Sequence, residues 1–229
     1  MATLGKIGRY DFLSEPFHCD FSKKLFMGHL GNHLLNAADF HSNDRDFGMN
    51  YLNPIHKTWV LSRLAIEMDD MPAAYEKFSV ETWVESALRF FTNRNFRICS
   101  TDDSRTYGYG KSVWAMIDTE TRQPLNILAI RDGEIERYIE KDKECPIEGL
   151  SRVKMGKEAK LARTIDTYYC DVDVARNFKI SASGAREHGQ HFFAALIVVV
   201  CLIPPMEPTI GAPLCVSIPP KGHFWHSTM

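Results

Sequence analysis

The sequence lacks the features that mark zinc-binding, secreted and membrane-spanning chains. Its six cysteines are scattered and include no Cys-x-x-Cys pair, which argues against a zinc ribbon and a disulfide framework. The most apolar run, residues 194–203, is about half the roughly 20 residues that a bilayer-spanning helix needs. The opening segment MATLGKIGRYDF has no apolar signal-peptide core. These absences predict a cytoplasmic chain with reduced thiols and no membrane span.

The chain also lacks a strong charge imbalance. Its 27 Lys and Arg residues face 29 Asp and Glu residues, for a net charge of -2 at pH 7. Without a basic excess, nothing global favours binding to nucleic acid. Hydrophobic residues fill 45% of the 229 positions, which is enough to bury a core and argues against disorder.

What the sequence does contain is one amphipathic helix followed by several strands. Residues 29–44 place apolar side chains at spacings of three and four, which predicts a helix, and residues 46–54 predict a connecting loop. An opening strand, interrupted by Pro16, is expected at 9–21, and β-branched and aromatic residues predict later strands at 58–68, 77–87, 89–100 and 108–121. This order predicts an α+β domain in which an antiparallel sheet wraps the helix.

A charged segment with Pro and Gly, residues 141–162, predicts a linker between domains. Residues 163–174 then resemble a second opening strand. We therefore expect a first domain at 1–140, the linker at 141–162, and an incomplete second domain at 163–229.

Several residues are candidates for chemistry. Asp171 and Asp173 would share one face of a strand, although paired acidic residues at a strand end are usually solvated. His29 and His33 have the i, i+4 spacing of a helical metal site, but no His-Glu-x-x-His pattern surrounds them. We therefore interpret them as helix-surface residues and predict no metal. No Gly-x-Ser-x-Gly pattern supports a serine hydrolase.

Aromatic and basic residues on the predicted strands leave two interpretations open. Trp59 on a strand, with Leu30 and Leu34 on the helix, either fills the core or encloses an aliphatic ligand. Positive side chains on adjacent strands either form a solvated face or a docking surface for an acidic carrier protein, and these are Arg89, Arg94, Arg97 and Lys111.

From about residue 5 to 174 the chain resembles the acyl-acyl carrier protein thioesterases of bacteria and plant plastids. The segments that carry the resemblance are HLGNHLLNAADFH, KTWVLSRLAIEM, VETWV, RFFTNRNFRI, KSVWAMIDTETRQP and YYCDVDV. The resemblance implies two hot-dog domains in tandem, each a helix wrapped by an antiparallel sheet, with the acyl chain held inside the first. It also implies hydrolysis of the thioester to release a free fatty acid, acyl carrier protein as the partner, and no cofactor.

The same resemblance implies a catalytic segment that this chain only begins. Family members open the second domain with Asp-x-Asp-Val-Asn-x-His-Val-Asn, and Asp173 matches the catalytic Asp. The Asn position is occupied by Ala175 and the His position by Asn177. Because everything after Val174 departs from the pattern, we hypothesise a change of reading frame near position 175 and expect impaired hydrolysis.

Two alternatives stay open at the level of sequence. One is a non-catalytic hot-dog module that binds acyl chains or the carrier protein. The other is an acyl-CoA thioesterase or dehydratase type of hot-dog protein that acts as a homodimer.

Overall fold

The computed structural model of the protein describes residues 4–150 and two short strands at 186–188 and 191–196. One long helix, α1 (Met27–Asn43), is followed by a single-turn helix, α2 (Met49–Leu52). The strands are β1 (Ile7–Leu13), β2 (Lys57–Met68), β3 (Lys77–Ala87), β4 (Phe91–Ser100), β5 (Thr106–Asp118), β6 (Arg186–His188) and β7 (His191–Leu196).

These strands form one sheet in the order β1-β3-β4-β5-β2-β7-β6, and every strand pair is antiparallel. Helix α1 packs on the sheet through the apolar positions that its spacing predicted, because Leu30, Leu34 and Ala37 are fully buried. Their neighbours in the main core include Phe78 and Phe96 of the sheet. A long helix wrapped by an antiparallel sheet is the hot-dog fold, so the predicted α+β class is confirmed.

Strand β3 explains why simple alternation is a weak guide in this sheet. From Phe78 to Val84 every residue is buried. One face of β3 lies on the core, and its other face is covered by side-chain pairs, since Glu81 accepts hydrogen bonds from Arg97 at 3.3 Å and Lys143 at 2.7 Å. A central strand with both faces covered loses the polar positions of a half-exposed strand.

The structure corrects two details of the predicted elements and adds a pair of 3-10 turns. The opening strand ends at Leu13, before Pro16, because a proline cannot donate a ladder hydrogen bond. The predicted loop at 46–54 contains helix α2 followed by a 3-10 turn at Asn53–Ile55. A further pair of 3-10 turns at Ile127–Tyr138 is broken by a left-handed kink.

The carboxyl-terminal part of the chain enters the description only through β6 and β7. Strand β7 pairs with β2, with Leu196 opposite Leu64. The remainder of 151–229, which holds Asp173, lies outside the described residues, so the predicted domain and linker boundaries stay predictions. No helix in the part of the chain that the structure describes is long and apolar enough to cross a membrane.

Candidate functional site

A cavity of about 60 Å³ lies between the carboxyl-terminal half of α1 and the sheet, and we call it the α1 cavity. Its walls combine aromatic and aliphatic side chains with an unusual set of polar ones. The lining residues are Leu35, Ala38, Asp39, His41, Ser42, Arg45, Phe47, Trp59, Val84, Thr92, Arg94, Trp114, Ile135 and Tyr138.

Arg94 is the central polar group of the α1 cavity. It lies on β4, is only 7% exposed, and donates hydrogen bonds to the hydroxyls of Ser42 at 3.0 Å and Thr82 at 3.2 Å. Burial and the nearby charge of Arg45 lower the pKa of the Arg94 guanidinium to about 10. Arg94 is therefore still a cation at neutral pH, and it ties α1 to the sheet.

The carboxylate of Asp39, on α1, helps to balance the positive charge of Arg94. Burial raises the pKa of Asp39, while hydrogen bonds from the Met49 amide and the Asn43 side chain and the charge of Arg94 act in the opposite direction. The Asn43 amide donates to Asp39 at 2.8 Å. Because buried charges need partners, this network holds the helix end in one position.

The aromatic wall of the cavity has its own polar groups satisfied. The indole N–H of Trp59 donates to the Phe47 carbonyl at 2.7 Å, and that of Trp114 donates to the Ser112 hydroxyl at 2.8 Å. With these N–H groups bonded elsewhere, the rings offer apolar surface to the cavity, which is suited to a hydrocarbon chain.

The three residues predicted to contact substrate fall in two places. Trp59 lines the α1 cavity. Leu30 and Leu34 are fully buried in the main core, and neither is among the residues that line this cavity. Their contact with an acyl chain stays a prediction, as does the catalytic assignment, because Asp173, Ala175 and Asn177 lie outside the described residues.

The basic residues predicted to share a docking face are also separated. Arg94 is buried in the α1 cavity, so its assignment to a surface is wrong. Arg97 pairs with Asp103 at 2.8 Å, and Lys111 pairs with Glu85 at 3.2 Å. Arg89 is exposed and lies over the Phe90 ring. The charge of Arg97 and Lys111 is thus largely balanced within the sheet.

Sequence reasoning named Arg94 but placed it on a surface, although a signal for its burial exists. In β4 the alternate residues Phe96 and Ile98 are fully buried, and Arg94 lies on the same face as both. A period of two through "RNFRI" therefore places a cation toward the core. Ser42 and Asp39 were beyond reach, because their meeting with Arg94 depends on how the helix docks.

A second polar group lies near the other end of α1, and we call it the histidine cluster: Glu15, His18, His29 and His33. The His18 ring lies 3.1 Å from the Glu15 carboxylate and stacks on His29 with ring centroids 4.0 Å apart. The Nε2 atom of His33 lies 4.0 Å from the same carboxylate.

His33 differs from the surface residue that its helix position suggested. Its side chain is only 13% exposed and packs between the rings of Phe12 and Phe78. Desolvation lowers its pKa, although the charge of Glu15 opposes that shift. The surface interpretation of His33 is therefore wrong, and its lowered pKa favours the neutral imidazole.

Comparison with known structures first defines the class. The fold matches the 12:0-ACP thioesterase from Umbellularia californica with a TM-score of 0.63 over 76% of this chain and 66% of that one, at 16% identity. It also matches a DHNA-CoA thioesterase from Staphylococcus aureus with a TM-score of 0.53 over 58% of this chain and 88% of that one, at 15% identity. At such identities the likeness extends to the hot-dog fold alone.

The particular family follows from sequence. The family model for the acyl-ACP thioesterase N-terminal domain matches residues 9–131, which are more than half of the chain. An acyl-ACP thioesterase structure from Bacteroides thetaiotaomicron is 50% identical, with a TM-score of 0.65 over 76% of this chain and 68% of that one. The chain belongs to the acyl-ACP thioesterase family.

Curated relatives agree with this family but are much longer than the shared segment. The oleoyl-acyl carrier protein thioesterase 2 of Arabidopsis thaliana chloroplasts is 29% identical over 118 residues, which are 49% of this chain and 32% of that protein. The Coriandrum sativum oleoyl-acyl carrier protein thioesterase is 31% identical over 31% of this chain and 20% of its own length. The chain thus spans only a minor part of these relatives.

Proposed function

We propose that this protein is a thioester hydrolase that cleaves acyl-acyl carrier protein and releases a free fatty acid in fatty acid biosynthesis. The observation that carries the proposal is the 50% identity to the Bacteroides acyl-ACP thioesterase across 76% of the chain. The aromatic wall of the α1 cavity supports it, because Trp59 and Trp114 offer apolar surface to an acyl chain.

The size of the α1 cavity sets a condition on that role. At roughly 10–15 Å³ for each water, about 60 Å³ holds only a few small groups. A long acyl chain therefore requires side chains of the wall to move. Tyr138 is the candidate, since it is only partly buried, whereas Trp59 and Arg94 are held by hydrogen bonds.

For the chemical step we propose that Asp173 orients or activates the water that attacks the thioester carbonyl. The amide and imidazole of the family motif would be absent at Ala175 and Asn177, so stabilisation of the developing oxyanion and activation of the water would both be weaker. We expect slow hydrolysis rather than none.

The partner that follows from this proposal is acyl carrier protein bearing a fatty acyl chain. Arg89, exposed beside Phe90, is our candidate for a contact with an acidic carrier surface. We further propose a cytoplasmic location and a homodimer. Size-exclusion chromatography with light scattering would test the dimer, and a purely monomeric mass would contradict it.

The function is tested by a hydrolysis assay on a long-chain acyl-acyl carrier protein. The parent is run beside a double variant, Ala175→Asn with Asn177→His, and beside a matched double control, Ala175→Ser with Asn177→Gln. We expect slow release of fatty acid by the parent and faster release by the first variant only. Carrier binding without hydrolysis by any of the three would indicate a binding module instead. A preference for acyl-CoA would indicate the other hot-dog chemistry.

A further inference from the structure

We propose that Glu15, His18 and His33 form a binding site for one divalent transition-metal ion of the zinc type. The site is independent of the proposed hydrolysis and lies near the amino-terminal end of α1. One candidate ligand atom from each residue lies within 4.8 Å of the other two. Two imidazoles and one carboxylate are a donor set that zinc accepts with water in the fourth position.

The distances are close to those that a bound ion requires. Zinc lies about 2.0–2.2 Å from nitrogen and oxygen donors in a tetrahedral arrangement, which separates two ligand atoms by roughly 3.4 Å. In the protein, Glu15 Oε2 lies 3.1 Å from His18 Nδ1 and 4.0 Å from His33 Nε2. The ligand atoms of His18 and His33 lie within 4.8 Å of each other, so side-chain movements of about one ångström would bring all three donors to bonding distance.

The burial of His33 is the observation that points to a ligand. Both ring nitrogens of His33 are inaccessible to solvent, and neither has a hydrogen-bond partner. Buried polar atoms without a partner are rare in folded proteins, and each such group calls for an explanation. The adjacent side chains of Phe12 and Phe78 have no hydrogen-bond donor or acceptor that could pair with the imidazole nitrogens. A metal ion would pair with Nε2.

The charge states and orientation of the three side chains suit metal coordination. Burial lowers the pKa of His33, which favours the neutral imidazole that binds metals. Burial raises the pKa of Glu15, but hydrogen bonds from its own backbone and from His18 outweigh it and keep the carboxylate ionised. His29 stacks on His18 with an interplanar angle of 15°, which restrains the orientation of the His18 ring.

The position of the site suggests what the ion would do. Glu15 and His18 belong to the 3-10 turn that follows β1, and His33 lies in the second turn of α1. An ion shared by all three would join that turn to the helix. We therefore expect zinc to raise the melting temperature of the protein as well as to bind.

The test uses the full chain, stripped of metal with a chelator, and titrates Zn²⁺ by isothermal calorimetry. Glu15→Gln and His33→Gln each remove one ligand and are expected to weaken the site more than about tenfold. His56→Gln is the matched control, because His56 is an exposed histidine paired with Glu120 outside the cluster. It should bind zinc as the parent does. Equal affinity and stoichiometry in all four proteins, or no zinc binding by the parent, would overturn the proposal.

Two further measurements keep the outcome decisive. His18→Gln alters an exposed turn, so it reports on the site even if His33→Gln fails to fold by circular dichroism, and we expect the same tenfold weakening. Co²⁺ then serves as a spectroscopic probe. Visible bands of a nitrogen and oxygen site that disappear in Glu15→Gln support the ligand set. A thiolate charge-transfer band that persists in that variant would assign the ion to cysteine and contradict it.

Discussion

The polar groups at the two ends of α1 differ in how well their hydrogen-bonding atoms are paired. At the carboxyl-terminal end, Arg94 is buried and bonded to Ser42 and Thr82, so its charge is anchored. At the amino-terminal end, Glu15 and His18 are 43% and 40% exposed, while the two ring nitrogens of His33 are buried without a hydrogen-bond partner. The first arrangement holds the helix to the sheet, and the second has a free coordination position. The comparison separates Arg94, whose hydrogen bonds make it a structural group, from His33, whose unpartnered ring nitrogens a ligand would satisfy.

The largest effect is expected from removing the anchored charge. Arg94→Ala should lower the free energy of unfolding by about 3–5 kcal/mol, because it leaves Asp39 without its buried cation and two hydroxyls without a donor. Urea denaturation followed by circular dichroism measures the change. Arg89→Ala is the control and should stay within about 0.5 kcal/mol, since Arg89 is exposed. Equal effects of the two substitutions would break the assignment of Arg94 as an anchor.

A somewhat smaller loss is expected in the core between the two ends. Leu34→Ala should cost about 3 kcal/mol, because the fully buried side chain leaves a cavity behind. The same variant tests the predicted substrate contact of Leu34. If the variant is less stable but binds the acyl carrier as the parent does, Leu34 belongs to the core alone. If binding falls by more than the loss of stability explains, Leu34 contacts the substrate.

The dependence of stability on pH should be set largely by the carboxyl-terminal end. Burial and the charges of Arg94 and Arg45 lower the pKa of His41 to about 2. His41 therefore binds a proton near pH 6.5 in the unfolded chain but not in the folded chain, so the free energy of unfolding falls as the pH drops below 6.5. The expected slope from this residue is about 1.4 kcal/mol for each pH unit. The raised pKa of Asp39 acts in the opposite direction.

Substitution of His41 checks that origin. His41→Gln can keep the hydrogen bond to the Lys6 carbonyl, which the His41 ring makes at 3.0 Å. Unfolding curves at several pH values between 7 and about 4.5 should show a flatter profile for this variant than for the parent. An unchanged profile would assign the pH dependence to other groups, among them His29 and His33, whose pKa values are also lowered.

The smallest effect is expected at the histidine cluster in the absence of metal. Glu15→Gln should change the free energy of unfolding by less than about 1 kcal/mol, since exposed ion pairs contribute little. Thermal melting with and without Zn²⁺ provides the measurement. A loss near that of Arg94→Ala without metal would mean that the cluster is itself an anchor, and the contrast between the two ends would fail.

The sequence predicted the helix from local periodicity and the strands from their β-branched and aromatic residues. Leu30, Leu34 and Ala37 follow the helical spacing, and all three are buried. The sequence-based prediction failed where tertiary contacts determine whether a side chain is buried. His33 reads as exposed on a helix alone, but Phe12 of β1 and Phe78 of β3 cover it. The meeting of Glu15 with His33 likewise depends on the path of the loop before α1, which no spacing rule encodes.

We propose that the α1 cavity receives the acyl chain and that the histidine cluster does not. Titration of a non-hydrolysed long-chain acyl-acyl carrier protein analogue into the parent, Trp59→Ala and Glu15→Gln tests it most directly. We predict that Trp59→Ala weakens binding by at least about tenfold, because an aromatic wall is lost, and that Glu15→Gln binds as the parent does. Full affinity in Trp59→Ala together with lost affinity in Glu15→Gln would contradict the account.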